Sequence, residues 1–231
     1  MLFERKDQYG IDDLLEIMRL LRSDEGCPWD REQTHKSIRS NLIEETYEAV
    51  EAIDTDNAVL LEEELGDVLL QVVFHAQMEE EQGRFSFANV VDGICKKLIV
   101  RHPHVFSSVT ADTSEQVLQN WDAIKMRTKQ QRSQTEVLLS VSKSLPALMR
   151  AVKVCGKAAK SGVGAKGTGQ ALSLVREKLD ELESTEDFGE EELGRLLLAV
   201  CDVARVKKLD AEQALSAATD GFIEDFSQQE K

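Results

Sequence analysis

Proline and aromatic residues are scarce in this sequence, with 3 prolines, 2 tryptophans and 2 tyrosines in 231 residues. Few prolines and little strand-like alternation point to an all-helical chain. Cationic charge is also short. Lys and Arg number 28 against 43 Asp and Glu, a formal net charge of −15. That balance argues against nucleic acid or an anionic membrane as a general partner. No apolar run approaches the length of a membrane span. Residues 1–10 are charged and lack the apolar core of a secretory leader. The 4 cysteines, Cys27, Cys95, Cys155 and Cys201, form no C-x-x-C pair, as expected of reduced core thiols in a cytoplasmic protein. An acidic chain of this kind that handles phosphates needs a metal and a few placed cations.

What the sequence does hold is carboxylate at helical spacing. Residues 42–53 read LIEETYEAVEAI, and residues 59–76 read VLLEEELGDVLLQVVFHA. Spacings of three and four put Glu44, Glu45 and Glu48 on one helix and Glu64 and Asp67 on a second, each set on one face. Two facing helices then aim Glu45, Glu48, Glu64 and Asp67 into one space, where they repel unless a cation sits between them. Hard oxygen ligands favour Mg²⁺, or Mn²⁺, over zinc. An acidic helix face is more often simply solvated. Here Leu42, Ile43, Tyr47, Val50 and Ile53 form an apolar stripe, and Leu65, Val68, Leu69, Val72, Val73 and Ala76 crowd the second helix. Helices this apolar are expected to be mostly buried, which places Glu64 and Asp67 in an interior cleft where carboxylates need partners.

Before this pair, residues 11–22 have the period of an amphipathic helix, with Gly26 expected as its C-terminal cap. Cys27-Pro28-Trp29-Asp30 reads as a turn or extended segment, with Trp29 suited either to stacking on a base or to plugging a core. After it, Ser86 is expected to cap a helix running to about Val100, with Val90, Val91, Ile94 and Leu98 inward, ending before Pro103. Lys97 and Arg101 lie one turn apart on it, a pattern that also suits the negative end of a helix dipole. His102 and His104 flank Pro103 and are read as structural. Residues 107–136 lose apolar density, with a short helix possible at 117–126 carrying Trp121 and Lys125. The domain organisation is therefore a first unit at 1–128, a linker at 129–136 and a second unit at 137–231.

The second unit repeats the first in degenerate form. EELGD at 63–67 recurs as EELGR at 191–195, and VREKLDEL at 175–182 takes the place of the first carboxylate helix. Lys178 stands where Glu45 would be and Arg195 where Asp67 would be, so Lys178 and Arg195 are expected to pair with Glu177, Glu181 and Glu192 without metal. The glycine-rich SGVGAKGTG at 161–169 has neither the residue order nor the preceding strand of a phosphate loop.

With GCPWDREQTH (26–35), EETYE (44–48), EELGD (63–67), KKLIVRHPHVF (96–106) and WDAIK (121–125) assembled, the chain resembles the MazG family of nucleoside triphosphate pyrophosphohydrolases in its two-repeat form. The resemblance implies an all-α helical bundle of the all-alpha NTP pyrophosphatase type, two tandem repeats and a homodimer. It implies Mg²⁺-dependent hydrolysis of NTP or dNTP to nucleoside monophosphate and pyrophosphate. Carried over, Glu45, Glu48, Glu64 and Asp67 are the metal ligands with Glu44 beside them. Lys97 and Arg101 contact phosphates, and Trp121 and Lys125 lie near the nucleotide with Trp29. Gly221 and Asp225 stand where the second repeat should carry Lys and Arg, so catalysis is expected in the first repeat.

Two other classes compete. A di-iron carboxylate bundle wants Glu-x-x-His from two helices, and none occurs near these carboxylates. A non-catalytic helical dimer that binds a nucleotide or a protein partner is the alternative, since the degenerate repeat shows the scaffold persisting without its metal set.

Overall fold

The computed structural model describes residues 3–107, 113, 117 and 133–230, which form eleven helices and no strand. The all-α expectation holds. None of these helices is long and apolar enough to cross a membrane. The chain divides into two compact units, Met1–Ile124 and Lys125–Lys231.

In the first unit, α1 (Ile11–Leu21), α2 (Pro28–Glu32), α3 (Arg39–Asp54), α4 (Ala58–Glu81), α5 (Phe87–Arg101) and α6 (Pro103–Phe106) follow in order. The hairpin of α3 and α4 is its centre. A tight turn joins the two helices: Asp56 takes a left-handed conformation (φ 51°), and Asn57 caps α4 by accepting from the Leu60 N–H at 3.2 Å. α1 packs across the later turns of α4. Met18, Ile38, Val73, Phe74 and Met78 form the core there, with Leu14, Leu15, Leu70 and Phe87 against it.

Three expectations change on inspection. Gly26 is not the cap of α1, whose last turn closes at Arg22. A Cβ on Gly26 would lie 2.2 Å from the Leu20 carbonyl oxygen, so the glycine is needed for close backbone approach. Residues 28–32 are not extended but form α2, with Pro28 in its first turn, where a missing N–H costs nothing. The apolar residues expected inward on α5, Val90, Val91, Ile94 and Leu98, are exposed within the chain. So are Ile43, Tyr47, Val50 and Ile53 on α3, whose buried face carries Ala49 and Ala52 instead. Periodicity located the apolar faces correctly, but none of the described residues of this chain's own unit covers them.

The second unit holds α7 (Gln134–Leu139), α8 (Ala147–Lys160), α9 (Thr168–Glu183), α10 (Glu190–Lys207) and α11 (Ala211–Gln229). α7 starts inside the expected linker, capped by Ser133 with Glu136 reaching back to the cap N–H. α9 and α10 form a second hairpin, and α8 packs against α10, as α1 does against α4 in the first unit. The loop at 161–167 is held by one buried carboxylate. Asp202, 4% exposed, accepts the Ala165 N–H at 3.1 Å and Arg205 Nε at 2.5 Å, while Arg205 also donates to the Ala165 carbonyl at 2.6 Å. Burial pushes the Asp202 carboxyl up, but Arg205 and the Ala165 N–H outweigh it and hold it below the usual carboxylate range. Gly164, at φ +115°, lets the loop lie against that carboxylate.

Asp202→Ala should therefore leave Arg205 and the Ala165 N–H without their partner and destabilise the second unit by about 3 kcal/mol. Native-state hydrogen exchange at the Ala165 amide measures it directly; protection equal to that of the wild type would contradict the role given to Asp202.

Candidate metal centre

The α3–α4 hairpin brings carboxylates from both strands of its sequence motif together. Ligand atoms of Glu45, Glu48 and Glu64 all lie within 4.8 Å of one another. They differ in surroundings: Glu64 is 8% exposed, Glu45 is half-buried and Glu48 is exposed, so the group opens to solvent on one side. Burial, followed by the charges of Asp67 and Glu48, pushes the Glu45 carboxyl above its ordinary range. Burial, then Glu48, Glu63 and Asp67, does the same to Glu64. Asp67 is half-buried on α4 and acts on both glutamates electrostatically, although it stands outside the tight group of three. Glu44 is exposed and also outside that group.

Such a set is costly as it stands. Like charges at this spacing repel, and the hairpin's packing prevents them from separating. The donors are all carboxylate oxygens with one open side, which fits a hard divalent cation that keeps water or substrate oxygens in its remaining positions. Zinc, which favours His and Cys, fits less well.

The other expected site residues are more scattered. Lys97 is exposed on α5, and Arg101 is half-buried at its C-terminal end. Trp29 is 59% exposed on α2. Trp121 and Lys125 lie outside the described residues. Two further polar groups, neither assigned a role from the sequence, lie on the same face of α4. Gln71, one turn beyond Asp67, is buried, and its Oε1 has no hydrogen-bond partner among the described residues. His75, a further turn on, meets His35 across the loop before α3, with 2.8 Å between their Nδ1 atoms. The i, i+4 spacing of 67, 71 and 75 was visible, but a partner forty positions away was not.

The second unit fills the equivalent space differently. Lys178 Nζ lies 3.1 Å from Glu177 and in short contact with Glu181, and the hydrogen bonds to Glu181 and Glu177 raise its pKa. Arg195 pairs with Glu191 at 2.5 Å and reaches Glu192 at 3.7 Å. The expected pairing is present, with Glu191 added. Following the EELGD and EELGR register, the stripe Glu64, Asp67, Gln71, His75 becomes Glu192, Arg195, Ala199, Val203. An ammonium and a guanidinium stand among these carboxylates, so no outside cation is required.

Residues 33–106, which contain the hairpin, match the family described as the MazG nucleotide pyrophosphohydrolase domain. Along the whole chain, identity is 42% over 229 residues with the nucleoside triphosphate pyrophosphohydrolase of Escherichia coli (strain K12), spanning 96% of this chain and 87% of that protein. It is 40% over 222 residues with the nucleoside triphosphate pyrophosphohydrolase/pyrophosphatase MazG of Thermotoga maritima, spanning 95% and 85%. With the nucleoside triphosphate pyrophosphohydrolase of Mycolicibacterium smegmatis it is 35% over 211 residues, 90% of this chain and 61% of that one.

The raised carboxyls of Glu45 and Glu64 have a consequence for stability. A carboxyl whose folded-state pKa lies above its unfolded value, about 4.3 for glutamate, favours folding in acid and loses that contribution as pH rises through the folded value. A divalent cation replaces the proton and removes the penalty. The rise in melting temperature on adding Mn²⁺ or Mg²⁺ should thus be larger near neutrality than near pH 5, and should shrink in Glu64→Gln. Thermal scans with metal and with EDTA at both pH values test this; equal rises at the two would contradict the carboxylate cluster as the binding site.

Proposed function

The chain belongs to the MazG family of nucleotide pyrophosphohydrolases, and from that premise we propose that it hydrolyses nucleoside triphosphates to nucleoside monophosphate and pyrophosphate at the carboxylates of its first unit. The observation that carries the assignment is the contrast between the two hairpins. Among the described residues Glu45, Glu48 and Glu64 converge as a group of carboxylates, whereas in the second hairpin Lys178, at the position of Glu45, pairs with Glu177 and Glu181 of its own helix.

In this reading Glu45, Glu48, Glu64 and Asp67 hold Mg²⁺, with Mn²⁺ as a substitute, and Glu44 stands alongside. A divalent ion bound there supplies a Lewis acid for phosphate oxygens and lowers the pKa of a coordinated water. The reaction joins a water oxygen to the α-phosphorus and releases the α–β bridging oxygen with pyrophosphate. Negative charge builds on the leaving group, so Lys97 and Arg101 are assigned to the β- and γ-phosphates, where charge-assisted hydrogen bonds are strongest. Trp29, Trp121 and Lys125 are assigned to the nucleoside end. The exposed apolar stripes of α3 and α5 support a homodimer, because a second copy would cover Ile43, Tyr47, Val50, Val90, Ile94 and Leu98. A nucleotide substrate also favours the cytoplasm as the site of action. The second unit is structural or regulatory.

Glu48→Gln and Asp67→Asn should each lower pyrophosphate release by about 10²-fold or more, with the far-UV spectrum unchanged. Glu177→Gln combined with Glu181→Gln should leave turnover at the wild-type level. Release is assayed over a panel of NTPs and dNTPs with Mg²⁺ and again with EDTA. Full activity in Glu48→Gln, or its loss in the Glu177 and Glu181 pair, would move catalysis out of the first unit. No release by the wild type from any nucleotide would favour a purely binding role.

A further inference from the structure

His35 lies in the loop between α2 and α3, and His75 on α4 two turns past Asp67. Their rings stack, with centroids 5.0 Å apart and planes 13° from parallel, and their Nδ1 atoms face each other at 2.8 Å. On its other side, His35 Nε2 is 2.6 Å from Glu79 Oε1. Glu79 is 9% exposed, and Arg84 forks onto both its oxygens at 2.5 and 2.7 Å. Arg84 first, and His35 with it, hold the Glu79 carboxyl below its usual range.

The proton count follows from these contacts. Glu79 is an anion that only accepts, so His35 Nε2 carries a proton and donates it. Two Nδ1 atoms at hydrogen-bond distance need a single proton between them. The pair meets that condition when both rings are neutral and His75 donates, or when one ring is charged. When both are charged, two N–H groups point at each other and the contact breaks. Burial, and then the neighbouring charge of His35, push His75 below the ordinary imidazole range, so the doubly charged state is reached only in acid.

The charged groups around the pair are few. Glu79 comes from the same helix and Arg84 from the turn after it. Arg22 of α1 is engaged by Glu81 at 2.7 Å. In the groove beside the two rings, α3 and α5 bring Leu42 and Val90. His35 sits three residues ahead of Ile38, the residue just before α3, which is itself 3% exposed in the core. Fixing His35 against α4 therefore fixes the start of α3 along the α4 axis. The second hairpin offers an internal comparison. In the EELGD and EELGR register, His75 and Glu79 become Val203 and Lys207, so both partners of His35 are missing where the carboxylate cluster is missing.

We propose that His75 is a positioning residue for the metal centre: by sharing one proton with His35 it seats residues 33–38 and sets the height of Glu45 and Glu48 against Glu64. The proposal rests on catalysis at this cluster, and its test separates the two. The full-length wild type, His75→Phe and His75→Asn are compared in pyrophosphate release between about pH 5 and 8, the range in which imidazoles titrate. The wild type should show KM rising in acid, in part because Glu45 and Glu64 take up protons. His75→Phe should raise KM by about 10-fold at every pH, as expected for a small misplacement, and should make that rise shallower, leaving the part that the carboxylates cause, with kcat changing far less. His75→Asn offers an amide near the place of Nδ1 that does not titrate. It should recover most of the affinity while keeping the shallower profile. Mn²⁺ affinity by calorimetry at neutral pH gives a readout free of turnover, with His75→Phe expected about 10-fold weaker. Equal Mn²⁺ affinity in wild type and His75→Phe overturns the proposal, as does a wild-type acid rise in KM in either variant. A wild type that binds Mn²⁺ but turns over no nucleotide overturns the functional reading instead, and the Mn²⁺ comparison still decides the role of His75.

Discussion

Same-sign charge packed into a helical hairpin is the constraint from which the rest of this molecule follows. Glu45, Glu48 and Glu64 approach within 4.8 Å because α3 and α4 are locked by the turn at Asp56 and Asn57. At such separations the repulsion is screened by water only on the open side. The hairpin therefore needs a positive charge, and the chain meets that need in two ways. The second hairpin supplies Lys178 from α9 and Arg195 from α10, whereas the first is proposed to take a cation from solution.

The position of those carboxylates is governed from the far end of α4. Its last two turns present Glu79 and Glu81, and each anchors a different part of the chain. Glu81 takes Arg22 in a two-pronged contact at 2.8 and 2.7 Å, and Arg22 lies over the Phe74 ring at 5.4 Å. The same arginine donates to the backbone carbonyls of Asp30 and Gln33, which fixes α2 and with it Trp29. Glu79 takes Arg84 and His35. A 24-residue helix thus carries clustered carboxylates near its start and anchors near its end, about 20 Å apart at 1.5 Å per residue. In the proposed reading, disturbing the anchors moves α3 against Glu64 without touching the cluster itself.

Much of this was legible in the sequence, and what was not has a common cause. The helices, the carboxylate faces and the Lys178 substitution all depend on spacing within one helix or on comparing two similar segments. Those are local properties. Side chains brought together by the fold are not. His35 and His75, or Arg22 and Glu81, give no signal along the chain because their separation follows no helical period. The apolar stripes of α3 and α5 were misread for a related reason. Val90, Ile94 and Leu98 recur at helical spacing whether the surface that covers them belongs to the same unit or to another molecule. Periodicity reports that a face is apolar and says nothing of its partner. Gly26 was read from its place after a helix, whereas the close carbonyls of Leu20 and Leu21 are what require it.

The two hairpins together indicate how a similar helical pair stands without a carboxylate cluster. Losing Asp67 alone from a metal centre would leave a weakened site and three carboxylates still repelling. Placing a lysine at the Glu45 position and an arginine at the Asp67 position removes two anions and adds two cations in one hairpin. The remaining glutamates then become partners for these cations. Lys178 bonds its neighbour Glu177 and Glu181 one turn on, and Arg195 pairs with Glu191 and Glu192 one turn before it. All four contacts run along a single helix, so they add little to the joining of α9 and α10. Ala171 in α9 and Ala199 in α10 are buried, and small side chains of this kind let helices approach closely. In the second hairpin Ala199 and Val203 stand at the positions of Gln71 and His75, so its stripe is apolar where that of the first hairpin is polar.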